Sequence, residues 1–429
     1  MSDFLIFERQ IYNRGVDDGV FVKLECDKET PLTGFSPISI EMSESLSIGT
    51  PFIELVFNDM EGDYFNRYKI DPTATFTLSI GTKDSYYIRT DMRYSQLKFM
   101  NNVAGKSINI AYHITFVHSG WYEMIAKEYN RGWANVKYSD VVQQISSECG
   151  FRSVEIAESD KIIESVIQPH WANITMLNWI KKRAWAINRC CSHYEYGITL
   201  DNKFFFKSIS NLIDEQTAAA INGEIPVFRM EGRYELERKQ KEAERENLNN
   251  PTYFVSFQGR EHYVSSIVNA TGGFDVIYYD SKLGEIVRST RKYSNTKSIQ
   301  LTDWGSIKKV HENSNMLFYG GRDNETPTRA INQVLNVINS TNDFTIAMVG
   351  APNIHIGDLV EVIIPVMSEG QVDPINTTYS GFYLVAGVDH NVSFTNSSYI
   401  STITLSRHGF DGKNLDGYVN SRRGKFVNV

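Results

Sequence analysis

Period-two alternation is the feature that most restricts what this chain can fold into. Between Ser107 and His118, Ile108, Ile110, Tyr112, Ile114 and Phe116 fall on one side of an extended backbone, and Ser107, Asn109, Ala111, His113 and Thr115 on the other. A helix would spread those apolar side chains around its axis. A half-buried strand puts one row into a core and leaves the other toward water. Residues 51–57 (PFIELVF) extend the same character back along the chain, and Gly81, Asp84-Ser85 and Ala104-Gly105 read as turns. Strand text returns late, in FTIAMVG, LVEVIIP, GFYLVAGVDHNV and YISTITLS, so residues from about 341 to 406 are predicted to be β as well.

The stretch between reads differently. Ser139 or Asp140 can cap a helix to Glu148, with Val142, Ile145 and Cys149 on one stripe and Gly150 at its stop. Leu177, Ile180, Ala184 and Ile187 predict a second helix over about 174–188, interleaved with Lys181, Lys182 and Arg183. YEYGITL and KFFFKSI flank Asp201-Asn202 as a hairpin. Residues 229–247 form a charge run in which Glu235/Lys239 and Glu237/Lys241 stand at i,i+4, as in a solvated helix or connector. YFVSF, FDVIYY and IQLTDW are β-prone. Thr326-Pro327 then opens a helix carrying Ala330, Ile331, Val334, Leu335 and Ile338, and residues 411–429 read as a loose tail. The fold class expected is mainly β with an α+β insertion. Its parts are an N-terminal barrel over 1–119, a module over 120–210, a middle region over 211–340, barrel strands over 341–410 and the tail. No short-period repeat is present.

Composition narrows function by exclusion. With 43 Lys plus Arg against 51 Asp plus Glu, a net charge of -8 opposes broad attraction to nucleic acid. Cys26, Cys149, Cys190 and Cys191 include no CxxC pair and are expected to be reduced, mostly buried thiols. The opening MSDFLIFERQ lacks the pattern of a signal peptide, and no apolar run is long enough to cross a bilayer, so direct membrane insertion is not expected. His113 and His118 lie five apart on a strand and point to opposite faces, poor geometry for sharing a metal. No HExxH, zinc spacing, phosphate loop or GxSxG elbow occurs. Gly320-Gly321 and Gly272-Gly273 read as turns. Trp171, Trp179 and Trp185 read as packing around one helix, and no carboxylate pair stands out. No catalytic, cofactor or metal site is expected, and no cofactor.

Three stretches resemble the central hub proteins of bacteriophage baseplates, those of T-even-like contractile tails above all. FSPISIEMSESLSIGTPFIELVFND is similar to their opening strand pair at Met42, Glu44, Ser45, Leu46, Leu55 and Phe57. HWANITMLNWIKKRAWAIN with the hairpin after it is similar to the helix of their inserted module. The last stretch resembles their terminal barrel at Ile356, Gly357, Asp358, Val360 and Val362, then Phe382, Tyr383, Val385, Val388 and His390, then Thr402, Thr404 and Leu405. Ile356 stands where the family often has proline. The resemblance covers about residues 35–410, and more distant relatives are the N-terminal parts of VgrG spikes and tail-associated proteins of non-contractile phages.

The resemblance implies a structural subunit of the virion tail baseplate, assembled in the host cytoplasm, and not an enzyme. It implies a homotrimer in which two similar barrels per chain give six. Such a pseudo-sixfold ring would adapt a sixfold tail tube to a threefold central spike and leave a channel for genome ejection. Partners implied are the spike, tube or tube-initiator proteins, and tape measure and baseplate wedge proteins. DNA passes without specific binding, and an acidic channel wall would suit it. The strands at 107–118 and 380–390 are expected to be equivalent, with His113 and His390 as packing or hydrogen-bonding residues. No spike or lysozyme module follows residue 410, so the needle is expected to be a separate chain. The alternatives are the same ring role in a type VI-like secretion system or non-contractile tail tip, and a cell-wall-degrading enzyme.

Overall fold

The structure, a computed structural model, describes residues 4–11, 19–30, 32, 36–46, 48–59, 70–81, 86–104, 107–159, 162–184, 194–230, 252–254, 256–261, 274–280, 283–291, 316–319, 342–350, 353–364, 376 and 379–407. The chain begins with seven strands: β1 (Phe4–Ile11), β2 (Val20–Cys26), β3 (Ser36–Ser45), β4 (Phe52–Asp59), β5 (Thr75–Gly81), β6 (Tyr86–Ala104) and β7 (Ser107–His118). They lie in the order β1-β2-β5-β6-β7-β4-β3, each pair antiparallel. In β7 the apolar row is the buried one: Tyr112, Ile114 and Phe116 are at most 1% exposed. Each such side chain contributes about 2 kcal/mol of burial. They join Ile40, Met42, Ile53, Leu55, Phe76 and Leu78 in one core. Phe7 of β1 meets Phe394 edge to face at 5.7 Å, so the sheet curls round on itself.

The next block is the α+β insertion. It runs α1 (Ser119–Ala126), β8 (Glu128–Lys137), α2 (Tyr138–Ser147), β9 (Ser153–Ile156), β10 (Ile162–Ala172), α3 (Asn173–Lys181), β11 (Tyr194–Ile198), β12 (Lys203–Ser208) and α4 (Ile209–Asn222). Strands β8 and β10 pair as a ribbon, and β11-β12-β9 form a small sheet. Met176, Leu177 and Ile180 of α3 pack with Val141, Val142 and Ile145 of α2 and Tyr194, Phe204 and Phe206 of the hairpin. The helix expected at 139–148 is α2, but its N-cap is Lys137. Asp140 acts from the third helical position, its Oδ2 accepting from Lys137 N at 3.0 Å. Helix α3 covers the first half of the expected 174–188, and residues 185–188 lie outside the described residues. The expected hairpin is β11–β12, with Asn202 at φ +68°.

The remaining strands are β13 (Val227–Met230), β14 (Thr252–Phe254), β15 (Ser256–Glu261), β16 (Phe274–Asp280), β17 (Glu285–Arg291), β18 (Met316–Tyr319), β19 (Asn342–Val349), β20 (Leu359–Ile363), β21 (Gly381–Ser393) and β22 (Ser398–Arg407). β16, β17 and β18 form a separate sheet. The others close a ring of pairings: β13 to β20, β20 to β21, β21 to β22, β22 to β19, β19 to β15, and β14, one residue before β15, back to β13. Phe228, Phe254, Phe344, Ile346, Val360, Val362, Tyr383, Val388, Ile403 and Leu405 fill this second barrel. The helix expected from Thr326, the glycine pairs, Trp185, Cys190, Cys191, residues 231–247, IQLTDW and the tail lie outside the described residues.

The fold is thus mainly β, with two similar barrels and a helix-containing insertion. The likeness of the barrels is one of strand order and register. β3-β4-β7-β6-β5 and β15-β19-β22-β21-β20 are the same five-strand order with every neighbour antiparallel. One bulge recurs in the matching strand, between Tyr94 and Gln96 of β6 and between Val385 and Gly387 of β21. With the bulges aligned, Phe116, Ile114, Ile53, Leu55, Phe76 and Leu78 correspond to Leu405, Ile403, Phe344, Ile346, Val360 and Val362, all buried. The turn before the fifth strand matches too: Ala74 N donates to Asp71 O at 3.0 Å and Asp358 N to His355 O at 3.2 Å. This corrects the expected pairing of elements. The counterpart of 107–118 is β22, and β21 corresponds to β6. Alternation marks a strand but carries no information about its place in the sheet.

Candidate functional site

The two barrels are joined edge to edge. β21 spends residues 381–384 on β20 and residues 387–393 on β3, in the register Val388↔Glu44 to Ser393↔Ser39. Leu46 N donates to Ala386 O at 2.9 Å, at the bulge where β21 changes partner. One continuous sheet therefore crosses from the first barrel into the second.

A buried acid stands at the end of this seam. Alternation along β3 puts Ile40, Met42 and Glu44 on the inner face, and the Glu44 side chain is wholly buried. An isolated carboxylate there would cost several kcal/mol. Three groups from two segments distant in sequence satisfy it. Leu200 N, in the β11–β12 turn of the insertion, donates to Oε1. His355 Nδ1 lies 2.9 Å from the same oxygen, and Ile356 N donates to Oε2 at 3.1 Å. Burial alone would depress the His355 pKa, but the charge and hydrogen bond of Glu44 outweigh it, and the imidazole is raised to about 9. Asp358 accepts from His355 N at 2.9 Å, and burial pushes its carboxyl up to about 6.

Helix α4 grips the same turn from the other side. Gln216 Nε2 donates to Gly357 O at 2.9 Å and its Oε1 accepts from Leu359 N at 2.7 Å. Gly357 itself sits at φ +89°, a conformation that favours glycine. A second contact fastens the insertion to β6, where Asp91 accepts from Arg152 at 3.2 Å and from Asn202 Nδ2 at 3.1 Å. A third is steric: Gly49, at φ +73°, lies so close to the Tyr196 ring that an added Cβ would be 2.5 Å from it. The site is a three-way joint that fixes two barrels and an insertion against one another.

Glu44, Ile356, Gly357 and Asp358, named above from separate stretches, are brought together here. His355, Gln216 and Leu200 were not anticipated. The available signal was Glu44 itself, an acid on the apolar face of an alternating strand. Three other histidines have partners of their own. His113 Nδ1 lies 2.9 Å from Glu54 Oε1. His118 Nδ1 accepts from Gly120 N at 3.0 Å at the start of α1, and burial lowers its pKa to about 4. His390 lies 2.8 Å from Ser401 Oγ and 3.0 Å from Tyr399 Oη, with its pKa lowered by burial to about 3. Trp171 and Trp179, with ring centroids 6.4 Å apart, pack against the core of the insertion. Burial pushes the Cys149 thiol up to about 12, which makes it unreactive at neutral pH. Among the described residues no three metal-ligating side chains converge, and no helix is long and apolar enough to cross a membrane.

No protein-family model matches the chain, and no curated protein matches it. Solved structures do. The 43 kDa tail protein of prophage MuSo2 from Shewanella oneidensis aligns with a TM-score of 0.52 at 9% identity, over 90% of this chain and 98% of that one. A tail protein from Neisseria meningitidis MC58 aligns with a TM-score of 0.55 at 8% identity, over 92% and 98%. A type VI secretion system component from Escherichia coli gives 0.49 at 10% identity, over 90% and 77%. At such identities the likeness is one of fold, and the fold is that of the two tail proteins along nearly their whole length.

Proposed function

We propose that this chain is a structural subunit of a phage tail baseplate: a central hub that forms a homotrimeric ring between a sixfold tail tube and a threefold spike. The observation that carries this reading is the register-level repeat. A chain holding two equivalent barrels, fastened by a buried joint, offers six similar units when three copies meet, and a threefold partner still meets three identical chains. The fold shared with two tail proteins supports the same reading. Spike, tube-initiator, tape measure and wedge proteins are the partners it requires, and the virion tail is its location.

The outer face of the continuous sheet supports a channel wall. Glu54 of β4 stands opposite Glu41 of β3, which stands opposite Asn391 of β21, with Asp389 two residues along. Thr115, Ser43, Thr402, Thr404 and Thr345 are their neighbours on that face. Burial, then Glu41, raises the Asp389 carboxyl. The face also carries His113, against Glu54, and Lys98, opposite His113; a wall on which acids and small hydroxyls predominate would repel DNA and let it slide.

Sedimentation equilibrium of the purified chain, alone and with its cognate spike, tests the ring. A trimer in either sample is expected, and a stable dimer in both would overturn it. Incubation with peptidoglycan is expected to release nothing. Turnover would favour the enzyme reading.

A further inference from the structure

The core of the first barrel is completed by side chains from its two neighbours. Leu200, at the tip of the β11–β12 turn, and Val392 and Tyr399, from the far end of the β21–β22 hairpin, lie in it. A buried histidine stands at each of these joints: His118 toward the insertion and His390 at the seam, 0% and 1% exposed. Both are built to be neutral. His118 Nδ1 accepts from Gly120 N at 3.0 Å, so the ring's one proton is on Nε2, where it finds no well-placed acceptor among the described residues. A second proton, on Nδ1, would set donor against donor. His390 Nδ1 has the Ser401 and Tyr399 hydroxyls at 2.8 Å and 3.0 Å, and its Nε2 has no partner among the described residues. A buried imidazolium without a counter-ion is costly.

The charges nearby do not supply that counter-ion. Facing His118 are Asp91 of β6, Asp201 and Asn202 of the β11–β12 turn, and Arg152, and Asp91 is already held by Arg152 and Asn202. Glu123 of α1 lies against Arg93. On the elements packed against His390 the charged groups are Glu44 of β3 and His355 and Asp358 of the 355–358 turn. Glu44 is taken by His355, which acts on the His390 ring as a like charge. Glu41 and Asp389 lie on the exposed, outer face. We propose that His118 and His390 make the joints of the first barrel acid-operated: on taking up protons they release the insertion and the second barrel together, while both barrels stay folded. The release is joint because Glu44 is bound at once by the turn of the insertion and by the turn of the second barrel. The barrels persist because the packing inside each is apolar. None of this rests on the hub reading.

A histidine whose folded pKa lies below its open value of 6.5 favours the closed joint above that pH and loses its contribution as pH falls toward about 4 for His118 and about 3 for His390. Between pH 7 and pH 5 each takes a factor of about 20 from the closed-to-open ratio. Asp358 and His355, both raised, act the other way and return about 10 and about 4. The joint should therefore open about tenfold more often at pH 5. Hydrogen exchange of the full chain, corrected for the intrinsic pH dependence of the amides, reads this directly. Leu46, Phe394 and Leu200 report on the joints, since their N–H groups bond across them. β4 and β7 report on the first barrel, β19 and β22 on the second. The joint amides are expected to exchange about tenfold faster at pH 5 than at pH 7 while the barrel strands do not change. With His118→Asn and His390→Gln together the response should change sign, the joint tightening about fortyfold on acidification because only Asp358 and His355 remain. Each single variant should be nearly flat. Asn keeps an acceptor for Gly120 N, and Gln keeps a polar group for Ser401. No acceleration in the native chain, equal acceleration of the barrel strands, or an undiminished acid response in the double variant would each overturn the proposal.

Discussion

Replacing Glu44 by Gln keeps the shape of the joint and removes its charge. The carboxylate accepts from two backbone N–H groups and from His355. An amide has one oxygen to offer, and its NH2 would face a donor. The interaction with His355 can be sized by its titration. The gap between about 9 in the fold and about 6.5 in the open chain corresponds to roughly 3 kcal/mol. A stranded backbone donor adds about 1–3 kcal/mol. Allowing for relaxation, Glu44→Gln is expected to cost about 3–5 kcal/mol at pH 7, the range for breaking a buried pair.

The pH dependence makes the test specific. His355 holds its proton more tightly folded than unfolded. Its contribution is therefore complete below about 6.5 and is lost as pH rises through about 9. Urea unfolding of the native chain at a series of pH values should show stability falling across that window, and Glu44→Gln should flatten the fall. A loss under about 1 kcal/mol with the slope unchanged would refute the claim that Glu44 anchors the joint.

Asp358 behaves in the opposite chemical sense but with the same slope. Its folded pKa of about 6 lies above the unfolded value, so stability falls as pH rises from about 4 to about 6. Asp358→Asn should abolish that slope in the same urea series while keeping the acceptor for His355 N. Gln216→Ala strands Gly357 O and Leu359 N. A loss of about 2 kcal/mol is expected, with faster hydrogen exchange at Leu359 than at Val385. Gly49→Ala meets both a positive φ and the Tyr196 ring. It should destabilise by about 2–4 kcal/mol, and in a Tyr196→Ala background the steric part of that penalty should vanish, as a double-mutant cycle would read.

Legibility in the sequence followed contrast between faces. β7 and β20–β22 were readable because one face is apolar. β8 was not, because EYNRGWANVK has no buried residue and alternates only between exposed and half-buried positions, with Arg131 on the same row as Tyr129 and Trp133. Helix α4 was missed although its ends are marked: Ser208 Oγ accepts from Asn211 N at 3.1 Å, and Gly223 closes it at φ +78°. At the joint, the motif residues Glu44 and Asp358 could be named, but nothing local links them. Glu44 and Ile356 are separated by 312 positions, and only the sheet order that carries β3 to β21 brings them together.

That sheet order also explains where the two repeats differ. Their five-strand cores agree in register and bulge, so the surface each barrel offers to a neighbour is constrained to stay alike. Freedom is left to the corners. Between β3 and β4 the corner is a short turn with Gly49 against Tyr196, turned inward onto the insertion. Between β15 and β19 the equivalent corner holds residues 262–341, including the separate sheet of β16, β17 and β18. There Leu283 and Ile286 are 66% and 75% exposed. In the proposed ring, a chain that must look sixfold from one side and threefold from the other would need this division: the alike parts would make the ring, and the unlike corners would tell the partners which barrel is which. Removing the β16–β18 insertion should therefore leave self-association intact and abolish binding to a threefold partner. Loss of self-association itself would show that the corner holds the chains together.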